Sequence, residues 1–175
     1  MAAGITPVAF LDRDGTINVK APQGEYITRP DDLVLLPRSA QAIRRLNDAG
    51  VRVAVVTNQR GLALGRMTEH DLTAIHARLR DLLREAADAE LDLVLHCPHD
   101  LGGCRCRKPL PGMLADAATA LGPIDMAASV MIGDSPTDAL AGQAFGIRSL
   151  LLGSDTSDLY AAVSLMLEQP ARPET

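Results

Sequence analysis

The sequence predicts an α/β fold: a single-domain, Rossmann-like open parallel sheet with helices on both faces. Two observations predict it. Short β-branched, apolar runs alternate from end to end with segments of helical periodicity. Polar clusters stand directly after three of those runs, and open parallel sheets bind ligands outside the carboxyl ends of their strands.

The runs that read as strands are residues 8–11, 52–57, 91–96, 130–132 and 149–152. Between the first two, residues 39–47 read as a helix, with Ala42, Ile43 and Leu46 at helical spacing and Gly50 as the stop. Thr68, followed three residues later by Asp71, resembles a capping box with Asp in place of the usual Glu or Gln. It opens a longer helix to Ala87, with Leu72, Ile75, Leu79, Leu82 and Leu83 on one face. Pro111 suits the start of a helix to Leu121, which Gly122 and Pro123 end. Residues 137–145 form a short helix closed by Gly146, residues 157–168 a last amphipathic helix, and residues 169–175 a loose tail. With no repeat or linker in 175 residues, one domain is expected over 1–175.

Composition excludes several function classes. The formal charge is −5 and the 17 basic residues form no run, so nothing marks a polyanion-binding face. Two Phe, two Tyr and no Trp leave no platform for stacking bases. Nucleic acid is therefore not an expected partner, and no obligate protein partner is evident. No apolar stretch approaches the roughly 20 residues that cross a bilayer. Residues 1–7 lack the charged start and apolar middle of a signal peptide, so a cytoplasmic location is expected.

Four clusters carry chemistry. In the first, residues 10–18, Asp12 and Asp14 stand two apart, with Gly15 and Thr16 turning the chain away. Carboxylates so close repel unless a cation or shared proton relieves them, which suggests a hard metal such as Mg²⁺. One can attack phosphorus while the other shuttles the leaving oxygen's proton; a solvated turn with two surface aspartates is the plainer alternative. The second, residues 55–61, puts the Thr57 hydroxyl and Asn58 amide where a phosphoryl oxygen could be bound. The third, residues 107–109, supplies Lys108 to neutralise a dianion. The fourth, residues 131–138, sets Asp134 after a strand with Gly133 turning the backbone. Asp134 could complete a Mg²⁺ site, and Asp138 could orient a ligand or water or serve the first turn of its helix.

All three cysteines fall in residues 97–106, and Cys97, His99, Cys104 and Cys106 suffice for a closed, structural zinc site. His96 is a substitute for His99. The other readings are three free thiols with two loop histidines, or a redox pair at Cys104 and Cys106. The run leads into Arg107 and Lys108, so a metal fixing the loop would also fix those residues.

In this order the four clusters resemble the four motifs of the haloacid dehalogenase superfamily of aspartate-nucleophile phosphohydrolases, over residues 10–152. The resemblance implies a Mg²⁺-dependent phosphatase in which Asp12 forms the aspartyl-phosphate and Asp14 is the acid and then the base. It implies that Thr57 and Lys108 hold the phosphoryl group, and that Asp12, the backbone carbonyl of Asp14 and Asp134 bind Mg²⁺. The intervals between the first and third clusters hold only sheet-and-helix units, so no cap domain is expected.

The Asp-Arg-Asp-Gly-Thr wording and the zinc loop look like the zinc-containing branch that includes bacterial heptose-bisphosphate and histidinol-phosphate phosphatases. Residues 57–59, 97–99 and 106–113 most resemble the heptose enzymes. That likeness implies removal of the 7-phosphate of D-glycero-D-manno-heptose 1,7-bisphosphate, with Arg107 reading the second phosphate, helped by Asn58 and Gln59. Histidinol phosphate is the alternative substrate. A phospho-acceptor signalling domain is more distant, since it gives Asp14 and the zinc loop no purpose. Arg60 departs from the small serine usual in the heptose enzymes and brings bidentate phosphate binding. Ser135 follows Asp134 where a lysine is common, which removes a charge. Residues 20–26, near the first motif, form a longer segment than the family leads one to expect.

Overall fold

A computed structural model describes residues 4–168, and the tail expected at 169–175 lies outside them. The chain runs β1 (Val8–Leu11), α1 (Ser39–Asp48), β2 (Arg52–Asn58), α2 (Glu69–Ala87), β3 (Leu93–Cys97), α3 (Gly112–Leu121), β4 (Val130–Gly133), α4 (Pro136–Phe145), β5 (Arg148–Leu151) and α5 (Leu159–Glu168). The strands form one parallel sheet in the order β3-β2-β1-β4-β5. The chain therefore builds outward from β1 on one side, then crosses to start again on the other. The switch point lies between β1 and β4, and their ends are in register, with Leu11 opposite Ile132.

The strands are apolar throughout because both faces are covered. Ala9, Leu11, Val53, Val55 and Ile132 meet Ile43 and Leu46 of α1, Leu72, Ile75 and Leu79 of α2, and Ala162 and Val163 of α5. The alternate residues Val8, Phe10, Ala54, Val56 and Met131 meet Met113, Leu114 and Ala117 of α3 and Ala141 of α4. Phe10 also packs edge-on against Phe145, centroids 5.8 Å apart. Each large apolar side chain removed from water here contributes about 1.5–3 kcal/mol. A polar replacement at Phe10 or Leu11 would break the face on which it lies.

Element ends follow their caps. Thr68 and Asp71 form the reciprocal box at the start of α2. Ser135 caps α4, so that helix begins at Pro136, a residue before the expected start. Asp158 Oδ1 accepts from Ala161 N at 2.7 Å, which delays α5 to Leu159. β3 begins at Leu93, two residues later than the apolar run suggests, and Asp92 Oδ2 takes the N–H of Val53 at 2.7 Å. A short 3-10 turn at Pro30–Asp32, not foreseen from the sequence, lies between β1 and α1.

Candidate active site

β1 delivers Asp12 to the carboxyl edge of the sheet, where its N–H donates to Ile132 O at 2.9 Å. Asp12 Oδ1 accepts from Arg13 N at 2.8 Å and pairs with Lys108 Nζ at 2.9 Å. Lys108, 2% exposed, also meets Asp138 Oδ1 at 2.6 Å, so one buried ammonium bridges two buried carboxylates. Burial opposes the charge on Lys108, but Asp12 and Asp138 outweigh it and hold its pKa above the ordinary value. Burial pushes Asp12 up to about 6, against the pull of Lys108 and with the repulsion of Asp138.

Asp134 arrives from the end of β4, and Asp12, Asp134 and Asp138 each place a carboxylate oxygen within 4.8 Å of the others. Lys20 Nζ pairs with Asp134 Oδ2 at 3.0 Å. Asp134 Oδ1 is buried without a hydrogen-bond partner among the described residues. A buried carboxylate oxygen with no donor is an atom that a cation would satisfy, and an all-oxygen set fits Mg²⁺. Two glycines make the approach possible. A Cβ on Gly15, whose φ is +84°, would sit 2.3 Å from Asp134 Oδ2, and one on Gly133 would sit 2.1 Å from Asp138 Oδ2.

Asp14 is turned to a different set of partners. Arg13 Nη2 donates to both its carboxylate oxygens at 2.9 and 3.0 Å, Asn18 Nδ2 to Oδ1 at 2.9 Å, and Gln59 Nε2 to Oδ2 at 2.9 Å. Burial alone would raise its pKa, but the Arg13 guanidinium and these hydrogen bonds hold it below the usual carboxylate value. Arg13 is fully buried, and its Nη1 lies 3.1 Å from His76 Nε2. Arginine only donates, so Nε2 of His76 accepts and its proton sits on Nδ1. Neither Arg13 nor His76 stands out in the sequence as functional. The available signal was a histidine on the apolar face of α2, between Leu72 and Leu79 and beside Ile75.

Thr57 and Gln59 are buried beside this network, with Gln59 Nε2 donating to Thr57 Oγ1 at 2.9 Å. Asn58 clasps the backbone of Lys108: its Nδ2 donates to Lys108 O and its Oδ1 accepts from Lys108 N, each at 3.1 Å. A cavity of about 640 Å³ opens over the cluster, lined by Asp12, Asp14, Thr57, Asn58, Gln59, Arg107 and Lys108 among others, with residues 20–27 forming one wall. Arg60 does not line it. Its Nε is 2.5 Å from Asp100 Oδ1, which ties it to the cysteine-bearing loop. Asp138 serves the first turn of its helix, since Oδ2 accepts from Ser135 N at the start of α4, while Oδ1 faces Lys108.

Beyond β3, Cys97, His99, Cys104 and Cys106 converge. Cys97 Sγ lies 3.7 Å from Cys104 Sγ and 3.2 Å from Cys106 Sγ, and His99 Nδ1 lies 3.6 and 3.3 Å from Cys97 and Cys106. A tetrahedral zinc with bonds of about 2.3 Å needs sulfurs about 3.7 Å apart, so the donors are spaced to fit. His96 instead turns to Glu69, 3.1 Å away. Burial and the neighbouring thiols push Cys106 up to about 12. Metal binding to this set therefore displaces protons.

A parallel sheet that carries buried carboxylates and a lysine at its switch point marks an α/β protein whose chemistry centres on aspartate. The particular family follows from its relatives: a model of haloacid dehalogenase-like hydrolases matches residues 6–146, and this chain belongs to that family. A Rhodopseudomonas palustris protein named D-glycero-beta-D-manno-heptose-1,7-bisphosphate 7-phosphatase is 39% identical, over 94% of this chain and 93% of its own. A Pseudomonas aeruginosa protein of the same name is 42% identical, over 82% and 79% respectively. Among solved structures, the D,D-heptose 1,7-bisphosphate phosphatase of B. bronchiseptica, complexed with magnesium and phosphate, superposes with a TM-score of 0.84. It is 34% identical, over 93% of this chain and 99% of that one.

Proposed function

We propose that this hydrolase removes the 7-phosphate of D-glycero-D-manno-heptose 1,7-bisphosphate. The observation that carries the reading is the likeness, along 94% of the chain, to a relative named for that reaction. An oxygen of Asp12 attacks phosphorus and forms an aspartyl-phosphate as the bond to the sugar oxygen breaks, and Asp14 protonates that oxygen. Asp14 then takes a proton from the water that attacks phosphorus, releasing inorganic phosphate and restoring Asp12. The resting Asp14 is ionised; an arriving phosphoryl dianion raises its proton affinity, and Asp14 takes up from solvent the proton that it then gives to the leaving oxygen. Thr57 and Lys108 hold the phosphoryl oxygens, and Arg107 meets the second phosphate. Asn58 and Gln59 serve as positioning residues for Lys108, Thr57 and Asp14.

Asp12, the backbone carbonyl of Asp14 and Asp134 would hold Mg²⁺, which when bound neutralises charge on the phosphoryl group. Cys97, His99, Cys104 and Cys106 would hold a structural Zn²⁺ that fixes the loop leading to Arg107 and Lys108. The reading takes the chain as one cytoplasmic domain that needs no obligate partner. Among the described residues no helix is long and apolar enough to cross a membrane.

Phosphate release from the heptose bisphosphate and from histidinol phosphate, each with Mg²⁺, tests the substrate, and phosphorus NMR tells which phosphate leaves. We expect the heptose substrate to be favoured by about 100-fold or more in kcat/KM, with loss of the 7-phosphate. Preference for histidinol phosphate, or loss of the 1-phosphate, overturns the reading. Asp12→Asn should lower turnover by about 10⁴ or more with an unchanged circular dichroism spectrum, and near-normal activity would remove Asp12 from its role.

A further inference from the structure

The wall formed by residues 20–27 has no part in the reaction as derived above, yet it brings a cation into the carboxylate cluster. Lys20 opens this wall, and its Nζ lies 3.0 Å from Asp134 Oδ2 across 114 residues of chain. Its side chain is 58% exposed, so nothing packs it in place. Asp134 in turn places a carboxylate oxygen within 4.8 Å of those of Asp12 and Asp138, so the ammonium borders the carboxylate cluster that Lys108 also pairs with.

The start of α4 supplies no such charge. The residue after Asp134 is Ser135, whose hydroxyl accepts from Thr137 N at the helix cap. Lys20 thus reaches from the opposite end of the chain to a place that its neighbours leave without a cation. The pair it makes there is exposed on the lysine side, and exposed ion pairs are weak restraints. A divalent ion with oxygen-only ligand preference displaces an ammonium from such a carboxylate at little cost.

We propose that Lys20 is a phosphate-binding residue that moves: it neutralises Asp134 while the site is empty, yields that carboxylate to the divalent cation, and then binds a phosphoryl oxygen in the cavity. The proposal rests on the phosphatase reading. A lysine suits the task because its charge is compact and its four-carbon stem flexible, so one side chain reaches both positions. The chemistry is charge compensation. The three carboxylates exceed Lys108 and Lys20 by one negative charge, the divalent ion reverses that balance, and the freed ammonium is then a cation on the cavity wall with no carboxylate partner, open to an incoming dianion.

Calorimetric titration of the parent, Lys20→Gln and Lys20→Arg tests it, first with Mg²⁺ alone and then with inorganic phosphate at saturating Mg²⁺. Lys20→Gln should bind Mg²⁺ about 2- to 5-fold more tightly, since an exposed competing pair is gone. The same variant should bind inorganic phosphate about tenfold or more weakly, as expected for the loss of a hydrogen bond to a charged group. Lys20→Arg should restore phosphate binding. Unchanged Mg²⁺ affinity in Lys20→Gln overturns the displacement, and unchanged phosphate affinity overturns the binding role; either result overturns the proposal. If the parent binds Mg²⁺ and phosphate and the variants match it, only the Lys20 proposal falls. If the parent binds neither, the phosphatase reading falls and the proposal with it.

Discussion

The hydrogen bond between His76 and the buried Arg13 gives stability a pH dependence that one substitution isolates. His76 has an ordinary pKa of 6.5 and is pushed down to about 3 in the fold, first by burial and then by the charges of Arg13 and His96. Between these values the unfolded chain binds a proton that the folded chain refuses, so acidification through 6.5 favours unfolding. Each unit below 6.5 removes about 1.4 kcal/mol, so at about pH 5 this imidazole makes the protein about 2 kcal/mol less stable than at neutral pH. Asp12 acts in the opposite sense. Its folded pKa is raised from 3.8 to about 6, so the same acidification favours the folded state. The total curve therefore mixes both, and the difference between the parent and His76→Gln isolates the histidine, because an amide oxygen accepts from Arg13 without titrating. Urea unfolding of the two proteins from about pH 7.5 to about pH 5 should show the parent losing about 2 kcal/mol more than the variant. Parallel curves would refute the reasoning, since a histidine free to take its proton in the fold contributes no such slope.

Gly133→Ala should cost about 1–3 kcal/mol in urea unfolding, because the new methyl meets Asp138 Oδ2 and pushes it from Lys108. Turnover should fall with it. Lys108→Met, measured without added Mg²⁺ at mildly alkaline pH, should destabilise the fold by about 3–5 kcal/mol through two buried carboxylates left without their cation. The loss should shrink on acidification, as a carboxylate with a raised pKa protonates. Chelator treatment, followed by a thiol titration and a melting curve, should release one Zn²⁺ from the proposed cysteine-loop site, expose reactive thiols and lower Tm. Absence of zinc in protein purified without chelator would refute that assignment.

Much of the fold was legible because each strand is a short apolar run and most helices carry a recognisable start or stop residue. Thr68 with Asp71 opens α2 and Gly146 closes α4 where the sequence placed them. The start of β3 was not legible, because the apolar run begins at Leu91 while regular pairing begins only at Ala54 with Leu93. The candidate site was legible in its residue types but not in their directions. Spacing puts Asn58, Gln59 and Arg60 after β2, yet one clasps Lys108, one reaches Thr57 and Asp14, and one leaves for Asp100. Those directions depend on partners 50 and 45 positions away in the first two cases and 40 in the third, which no local pattern encodes. Arg13 was missed for the same reason, since its burial depends on a histidine 63 residues on.

The cavity has two walls that do not belong to the sheet, residues 20–27 and the stretch from Leu101 to Leu110 that carries Cys104 and Cys106. Asp12 and Thr57 stand at the strand ends beneath, Lys20 and Lys108 stand on these walls, and the rest of each wall faces the remainder of a bound ester. The architecture is therefore modular. Grafting either wall from a relative, with Lys108 and Lys20 kept, should leave the competence to cleave a phosphate ester in place while changing which ester is admitted, so descendants of this scaffold can diverge in diet by exchanging loops without touching the five strands.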